Sequence, residues 1–152
     1  MIHLYKLKQD WTHYTFQCFL AVLSIGIIVF VLGVEKVVII SSLAATAFIC
    51  FMTPKSHFAQ TLRVLGAYIV ALICGAVFQF IHLPAIAEYP AVVGIVMFLM
   101  VVLDFEHPPA AGVAIAVTIN EVDYVAVAAI MLSIIVITQL RYYLRHWLKD
   151  LV

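Results

Sequence analysis

Residues 11–34 read WTHYTFQCFLAVLSIGIIVFVLGV, a run without Asp, Glu, Lys or Arg. The hydrocarbon core of a bilayer is about 30 Å thick, and a helix needs about 20 apolar residues to cross it. This run therefore predicts a spanning helix. Five more stretches lack the four charged residue types: Val37–Pro54, Val64–Ala87, Tyr89–Leu103, His107–Asn120 and Tyr124–Leu140. The second just reaches spanning length, and the third clears it. The sixth reaches it once Tyr142, Tyr143 and the arginines beside them form its interfacial end, because long basic side chains carry their charge back to water. The fourth and fifth cover only about two-thirds of the core at 1.5 Å per residue. They read either as short spans or as the arms of a re-entrant hairpin.

Composition agrees. Of the 152 residues 66% are hydrophobic and 11% are charged, whereas soluble domains carry about 25% charged residues. The expected fold class is all-α, a polytopic transmembrane bundle of six apolar helices. Residues 1–152 form a single transmembrane domain, and the first run is a retained span because no small-residue cleavage site follows the polar start. A bacterial inner (plasma) membrane is the expected location. Net charge is zero, so nothing favours nucleic acid. The cysteines, Cys18, Cys50 and Cys74, lie inside apolar runs without C-x-x-C spacing, and read as buried thiols. Basic residues sit at Lys6, Lys8, Lys36, Lys55, Arg63, Arg141, Arg145 and Lys149. By the positive-inside bias both termini are cytoplasmic. Trp11, Tyr14, Tyr142, Tyr143 and Trp147 read as interfacial anchors. Ala67, Ala71 and Gly75 repeat every fourth position, as do Gly112 and Ala116, which marks close helix packing at the bundle centre or at an oligomer seam.

Two breaks share a form: Thr53-Pro54-Lys55-Ser56 and Glu106-His107-Pro108-Pro109-Ala110. Proline suits the first position of a helix and drives the residue before it out of the helical region. Both breaks therefore predict helix starts, with free N–H groups at Lys55, Ser56 and His57 and at Ala110, Ala111 and Gly112. A helix start of this kind holds anions, and broken helices aimed at a central anion are a transporter device. The hydroxyls of Thr53 and Ser56 and the amide of Gln60 add hydrogen bonds. Arg63 and Lys55 add charge, and His107 charge or a proton. Asp104 and Glu106 either pair with these cations or lie in solvated loops. Ordinary X-Pro caps at loop ends explain the same residues without function.

Other chemistry is less well served. Asp104, Glu106 and His107 offer three ligands in four residues, yet no helical i, i+4 ligand pair or second Cys/His cluster accompanies them. No metal site and no cofactor is expected. No G-x-S-x-G nucleophile motif is present, so the chain is not expected to be an enzyme.

The Glu106-His107-Pro108-Pro109-Ala110-Ala111-Gly112 run after an apolar helix resembles the signature of the HPP family of integral membrane proteins. Thr53-Pro54-Lys55-Ser56 followed by Ala59-Gln60 resembles that family's upstream T-P-x-S…A-Q element. The resemblance covers helix two through helix five or six. It implies a small helical membrane protein, and nitrite transport, in which plastid and cyanobacterial members are implicated. The matching positions are Thr53, Pro54, Ser56, Gln60, His107, Pro108 and Pro109. Thr61 stands where the family usually has proline, Leu65-Gly66-Ala67-Tyr68 where some members carry Gly-Gly-His, and Val113 where threonine is common. These departures leave room for a substrate other than nitrite.

The expectation is transport of a small nitrite-like inorganic anion through a helical bundle that assembles as a homo-oligomer in the lipid bilayer. Rival readings are a non-transporting interaction or sensor subunit, a membrane metalloenzyme, and a cation or proton pathway using Asp104, Glu106, Glu121 and Asp123.

Overall fold

The computed structural model describes residues 2–33, 36–119 and 122–151. Among them are six α-helices and no strand: α1 (Ile2–Leu32), α2 (Val37–Met52), α3 (Thr61–Phe78), α4 (Ala85–Val102), α5 (Ala110–Ile119) and α6 (Tyr124–Leu144). A short 3-10 helix, His57–Ala59, precedes α3. Four segments are long and apolar enough to cross a membrane: Asp10–Leu32 of α1, and all of α3, α4 and α6. The α1 path is broken at Asp10, whose φ of −116° and ψ of 20° are not helical. Its other end closes on Gly33, where a φ of 76° lets the Gly33 N–H reach the Val29 carbonyl at 2.9 Å. That left-handed cap suits glycine because no Cβ opposes it.

The outward faces fit a lipid solvent. Val22, Phe30, Ile86 and Phe98 are largely exposed, which water would penalise and acyl chains do not. The charged side chains at Lys36, Lys55, Arg63, Glu88, Asp104, Glu106, Asp123 and Arg145 lie at helix ends or in connections.

The helices alternate in direction between two ends of the bundle. At one end the segment 145–151 folds back over the chain. Its Leu151 N–H donates to the Met52 carbonyl at 3.0 Å, and its Leu151 carbonyl accepts from the Tyr14 hydroxyl at 2.9 Å. The α6 residue Arg141 donates from Nε to the Pro54 carbonyl at 3.0 Å. The start of α1 and the end of α6 therefore share a side with the Thr53–Ser56 turn. At the opposite end Gln79 Nε2 donates to the Val117 carbonyl at 2.7 Å. α4 crosses to the end where Arg63, at the start of α3, holds Asp104, and the connection 103–109 together with α5 returns to the end marked by Gln79 and Val117, so the pair is not a hairpin confined to one side.

The lengths of these two helices differ from the charge-free runs. α4 reaches 18 residues because it also takes in Ala85–Glu88, with Pro90 tolerated inside it. α5 keeps only 10 residues, about 15 Å of rise. The connection 103–109 makes up the shortfall by descending into the bundle. There the Ser42 hydroxyl of α2 donates to the Pro109 carbonyl. Ser42 lies ten residues, about 15 Å of helix, from the last residue of α2. α5 therefore begins near mid-bundle.

It packs on α2, α3 and α4, and small residues make this possible. A Cβ on Gly75 of α3 would stand 2.7 Å from Val117 Cβ and 2.8 Å from the Ala114 carbonyl oxygen of α5. Ala67, Ala71, Ala110, Ala114 and Ala116 are fully buried in the same seam. The small-residue stripe of α3 therefore packs on the Ala114–Val117 face of α5, while Gly112 of the second stripe admits Ser42 of α2. Dispersion across so close a seam holds helices together where lipid supplies no hydrophobic drive.

One expected helix start is corrected. α3 does not begin at Pro54. The Ser56 N–H donates to the Thr53 carbonyl at 2.9 Å, so Thr53–Ser56 is a β-turn with Pro54 at its second position, which proline's fixed φ also suits. Ser56 then caps the 3-10 helix by accepting from the Phe58 N–H at 3.3 Å, and α3 starts seven residues after Pro54, at Thr61.

The packing makes a prediction. Gly75→Ala forces α3 and α5 apart and lowers thermal stability in detergent by about 1–3 kcal/mol. Gly94→Ala, on α4 with nothing within 4 Å of the added methyl, is neutral or stabilising by up to about 1 kcal/mol. Thermal unfolding of the two purified variants checks the contrast.

Candidate functional site

The two breaks meet. His107, drawn out of the helical path by the proline after it, is fully buried and reaches across the bundle. Its Nδ1 lies 2.7 Å from the Phe58 carbonyl and its Nε2 lies 2.8 Å from the Thr46 hydroxyl. A carbonyl only accepts, so Nδ1 carries the ring proton, and a neutral ring then accepts at Nε2 from Thr46. Tyr68, also fully buried, places its hydroxyl 2.6 Å from Thr46 Oγ1. The result is a chain of contacts, Tyr68 to Thr46 to His107 to the Phe58 carbonyl, with the Ser42 carbonyl as a further acceptor 3.1 Å from the Thr46 hydroxyl and 3.4 Å from that of Tyr68. It joins α3, α2, the descending connection and the 3-10 helix. Such a chain satisfies every polar group it contains, which a site without water requires.

Around this chain the motifs make two surface contacts. His57 Nε2 lies 3.4 Å from Glu106 Oε2. Arg63, on the first turn of α3, holds Asp104 with both arms of its guanidinium: Nη1 to Oδ1 and Nη2 to Oδ2, each 2.6 Å. Nη1 also donates to the Asp104 carbonyl at 2.8 Å, and Nε to Gln60 Oε1 at 3.3 Å. The paired guanidinium, chiefly through its hydrogen bonds, holds the Asp104 carboxyl below the usual carboxylate range. A folded-state pKa lowered in this way adds stability above the ordinary carboxylate pKa and loses it only in stronger acid. The pair is therefore intact at neutral and mildly acidic pH.

The amides expected to hold an anion at the second break are already used. Ala110 N–H donates to the His107 carbonyl at 3.1 Å, Ala111 N–H to Pro108 at 3.2 Å, and Gly112 N–H to Pro109 at 3.1 Å. Pro108 and Pro109 have no N–H. The usual orphan donors of a helix start are thus removed by two prolines and an i→i+3 turn. This start can be buried without an anion, and the Ala110–Gly112 amides are not free as the sequence predicts.

At the first break Lys55 N–H donates to Asp150 Oδ1 at 3.2 Å, Ser56 N–H is used in the turn, and the Thr53 hydroxyl donates to the Ile49 carbonyl at 2.9 Å. Lys55, Thr53 and Ser56 therefore serve the turn and the segment 145–151, while His57, Gln60 and Arg63 face the second motif.

A family model described as HPP, transmembrane region, matches residues 6–146. The chain belongs to the HPP family. No curated protein and no solved structure matches it. The HPP triplet of this chain, His107-Pro108-Pro109, is the segment that descends into the bundle. Beside it, between α4 and α5, lies an open cavity of about 310 Å³. Phe58, Met97, Met100, Val101, Pro108 and Ala111 line it, with Glu106 and His107 as its polar members.

Two rival site compositions come apart. Asp104, Glu106 and His107 turn to three different partners, Arg63, His57 and the bundle interior, so they do not converge as a ligand set. Asp123 caps α6 by accepting from the Ala126 N–H at 2.8 Å, at the end remote from Asp104, and Glu121 lies outside the described residues.

The sequence reading passed over Ser42, Thr46 and Tyr68. A signal existed: Ser42 and Thr46 stand four apart on one face of an apolar helix, and a tyrosine in mid-span needs a partner for its hydroxyl.

The chain also sets an order of stability. His107→Asn keeps a donor for the Phe58 carbonyl and loses the Thr46 contact. His107→Ala loses both and leaves a void, costing about 2–5 kcal/mol. Thermal unfolding in detergent is expected to rank wild type above His107→Asn, and His107→Asn above His107→Ala.

Proposed function

We propose that this HPP-family protein moves a small inorganic anion, nitrite or a close relative, across a bacterial inner membrane. The observation that carries the reading is the helix that begins in mid-bundle. Non-helical backbone at depth is tolerated only where protein covers it or a cavity lines it, and half-length helices near a membrane midplane are how many transporters build their sites. Here that start is spelled by the family motif, is tied to the upstream element through the Phe58 carbonyl, and borders a cavity.

The nitrite assignment draws on the family resemblance. The recognition chemistry differs from a bare helix terminus. His57 and the Arg63 guanidinium stand where the motifs meet, and His107, backed by Thr46 and Tyr68, borders the cavity. The cavity is too apolar to solvate a charge by itself, so the anion is selected where the motifs meet. A bundle of this size leaves little room for a pore within one copy, and we place the working unit as a homo-oligomer with both termini in the cytoplasm. We assign it no catalytic role.

Proteoliposomes holding the purified protein test this reading. Nitrite influx is expected above that of empty liposomes, and His107→Ala is expected to reduce it about tenfold or more, an effect of about 1.4 kcal/mol on the barrier. Flux indistinguishable from empty vesicles for nitrite, nitrate, formate and chloride alike would leave an interaction subunit as the better account.

A further inference from the structure

Arg63 presents an unusual pairing where the two motifs meet. Its side chain is only 13% exposed, while that of its partner Asp104 is 74% exposed. The buried member is the cation, and the carboxylate approaches it from solvent. Both guanidinium arms are matched one to one with the two carboxylate oxygens, and Gln60, from the upstream motif, steadies Nε. Asp104 reaches this seat from a left-handed backbone, φ 59°, a conformation that aspartate adopts more readily than most residues but still at some cost. An exposed ion pair contributes little to stability. The geometry is nevertheless highly specified, as a planar fork facing a planar pair of oxygens.

A carboxylate is a bent O–C–O group sharing one negative charge over two oxygens. Nitrite is a bent O–N–O group of the same charge, and formate is the smallest free carboxylate. We infer that Arg63 and Gln60 form a recognition fork for small planar oxyanions that offer a two-oxygen edge, and that the Asp104 carboxylate is its built-in competitor. This deepens the transport reading, on which it rests, by naming the substrate shape and the group that must leave. Incoming anion and Asp104 exchange on the same two arms. The fork prefers two-oxygen anions to halides because a spherical ion engages its arms without the one-to-one match. The tethered carboxylate keeps the guanidinium neutralised when no solute is present. It also keeps wild-type affinity weak, which favours release.

Glycine at position 104 removes the competitor while accepting the positive φ without strain. Binding of sodium nitrite, sodium formate and sodium chloride to the detergent-purified full chain, at constant ionic strength, is the test. Asp104→Gly is expected to bind nitrite and formate at least about tenfold more tightly than wild type, with chloride changed far less. Its melting temperature is expected to rise with added formate or nitrite, and by more than that of wild type. Adding Arg63→Lys, which keeps the charge and loses the fork, is expected to abolish the gain. In the otherwise wild-type chain Arg63→Lys lowers the nitrite-to-chloride flux ratio in liposomes, a readout that needs no glycine variant.

No gain in Asp104→Gly, an equal gain for chloride, or a flux ratio unmoved by Arg63→Lys overturns the fork. The affinity and flux arms fail separately. Nitrite flux with no affinity gain ends the fork alone, whereas an affinity gain without flux from any vesicle supports the fork and ends transport.

Discussion

Inside a bilayer every peptide N–H and C=O must find a partner in the protein, because no water is there to supply one. The descent of residues 103–109 is governed by that requirement. Two prolines delete donors that a helix start would leave orphaned, an i→i+3 turn consumes the next ones, and Ser42 takes the Pro109 carbonyl. What is commonly read as a helix-breaking motif is here a way of beginning a helix in a dry place. The buried imidazole adds a contact that ties this start to the 3-10 helix of the upstream element.

The seam between α3 and α5 follows from the same constraint. A helix that starts at mid-bundle has little length with which to hold itself in place, so it must approach its neighbours closely. Gly75 against Val117 and Ala114, and Gly112 against the Ser42 hydroxyl, supply that approach. Phe105 lies over Gly66 in the same manner, seating the descending connection on α3 just below the Arg63–Asp104 pair. Packing, backbone satisfaction and the meeting of the motifs are thus one problem solved by a few small residues.

Much of this was legible in the sequence. Charge-free runs located the helices because the cost of charge in lipid leaves few exceptions. The two proline breaks marked where backbone leaves the helical path, and the small-residue stripes marked the central seam. Pro54 was ambiguous for a physical reason, since its fixed φ serves a helix start and a β-turn equally well. The fate of the Ala110–Gly112 amides depended on whether the first turn closes i→i+3, which residue identity does not dictate. Thr46, Tyr68 and His107 lie 22 and 61 positions apart, and only the tertiary fold brings them into one chain. Arg63 and Asp104 were recognisable as opposite charges, but not as a fork and its filling.

The segment 145–151 carries a consequence for closure of the bundle. Gln17, fully buried on α1, donates its amide to the Phe51 carbonyl and, at 2.9 Å, to the carbonyl of Lys149. The α1 span thus holds a polar side chain whose second acceptor lies 132 residues further along the chain. Without that segment in place the amide is incompletely matched, a cost in a dry environment. Docking of segment 145–151 is therefore the step that fills the second donor of the Gln17 amide and ties α1 to the end of α6.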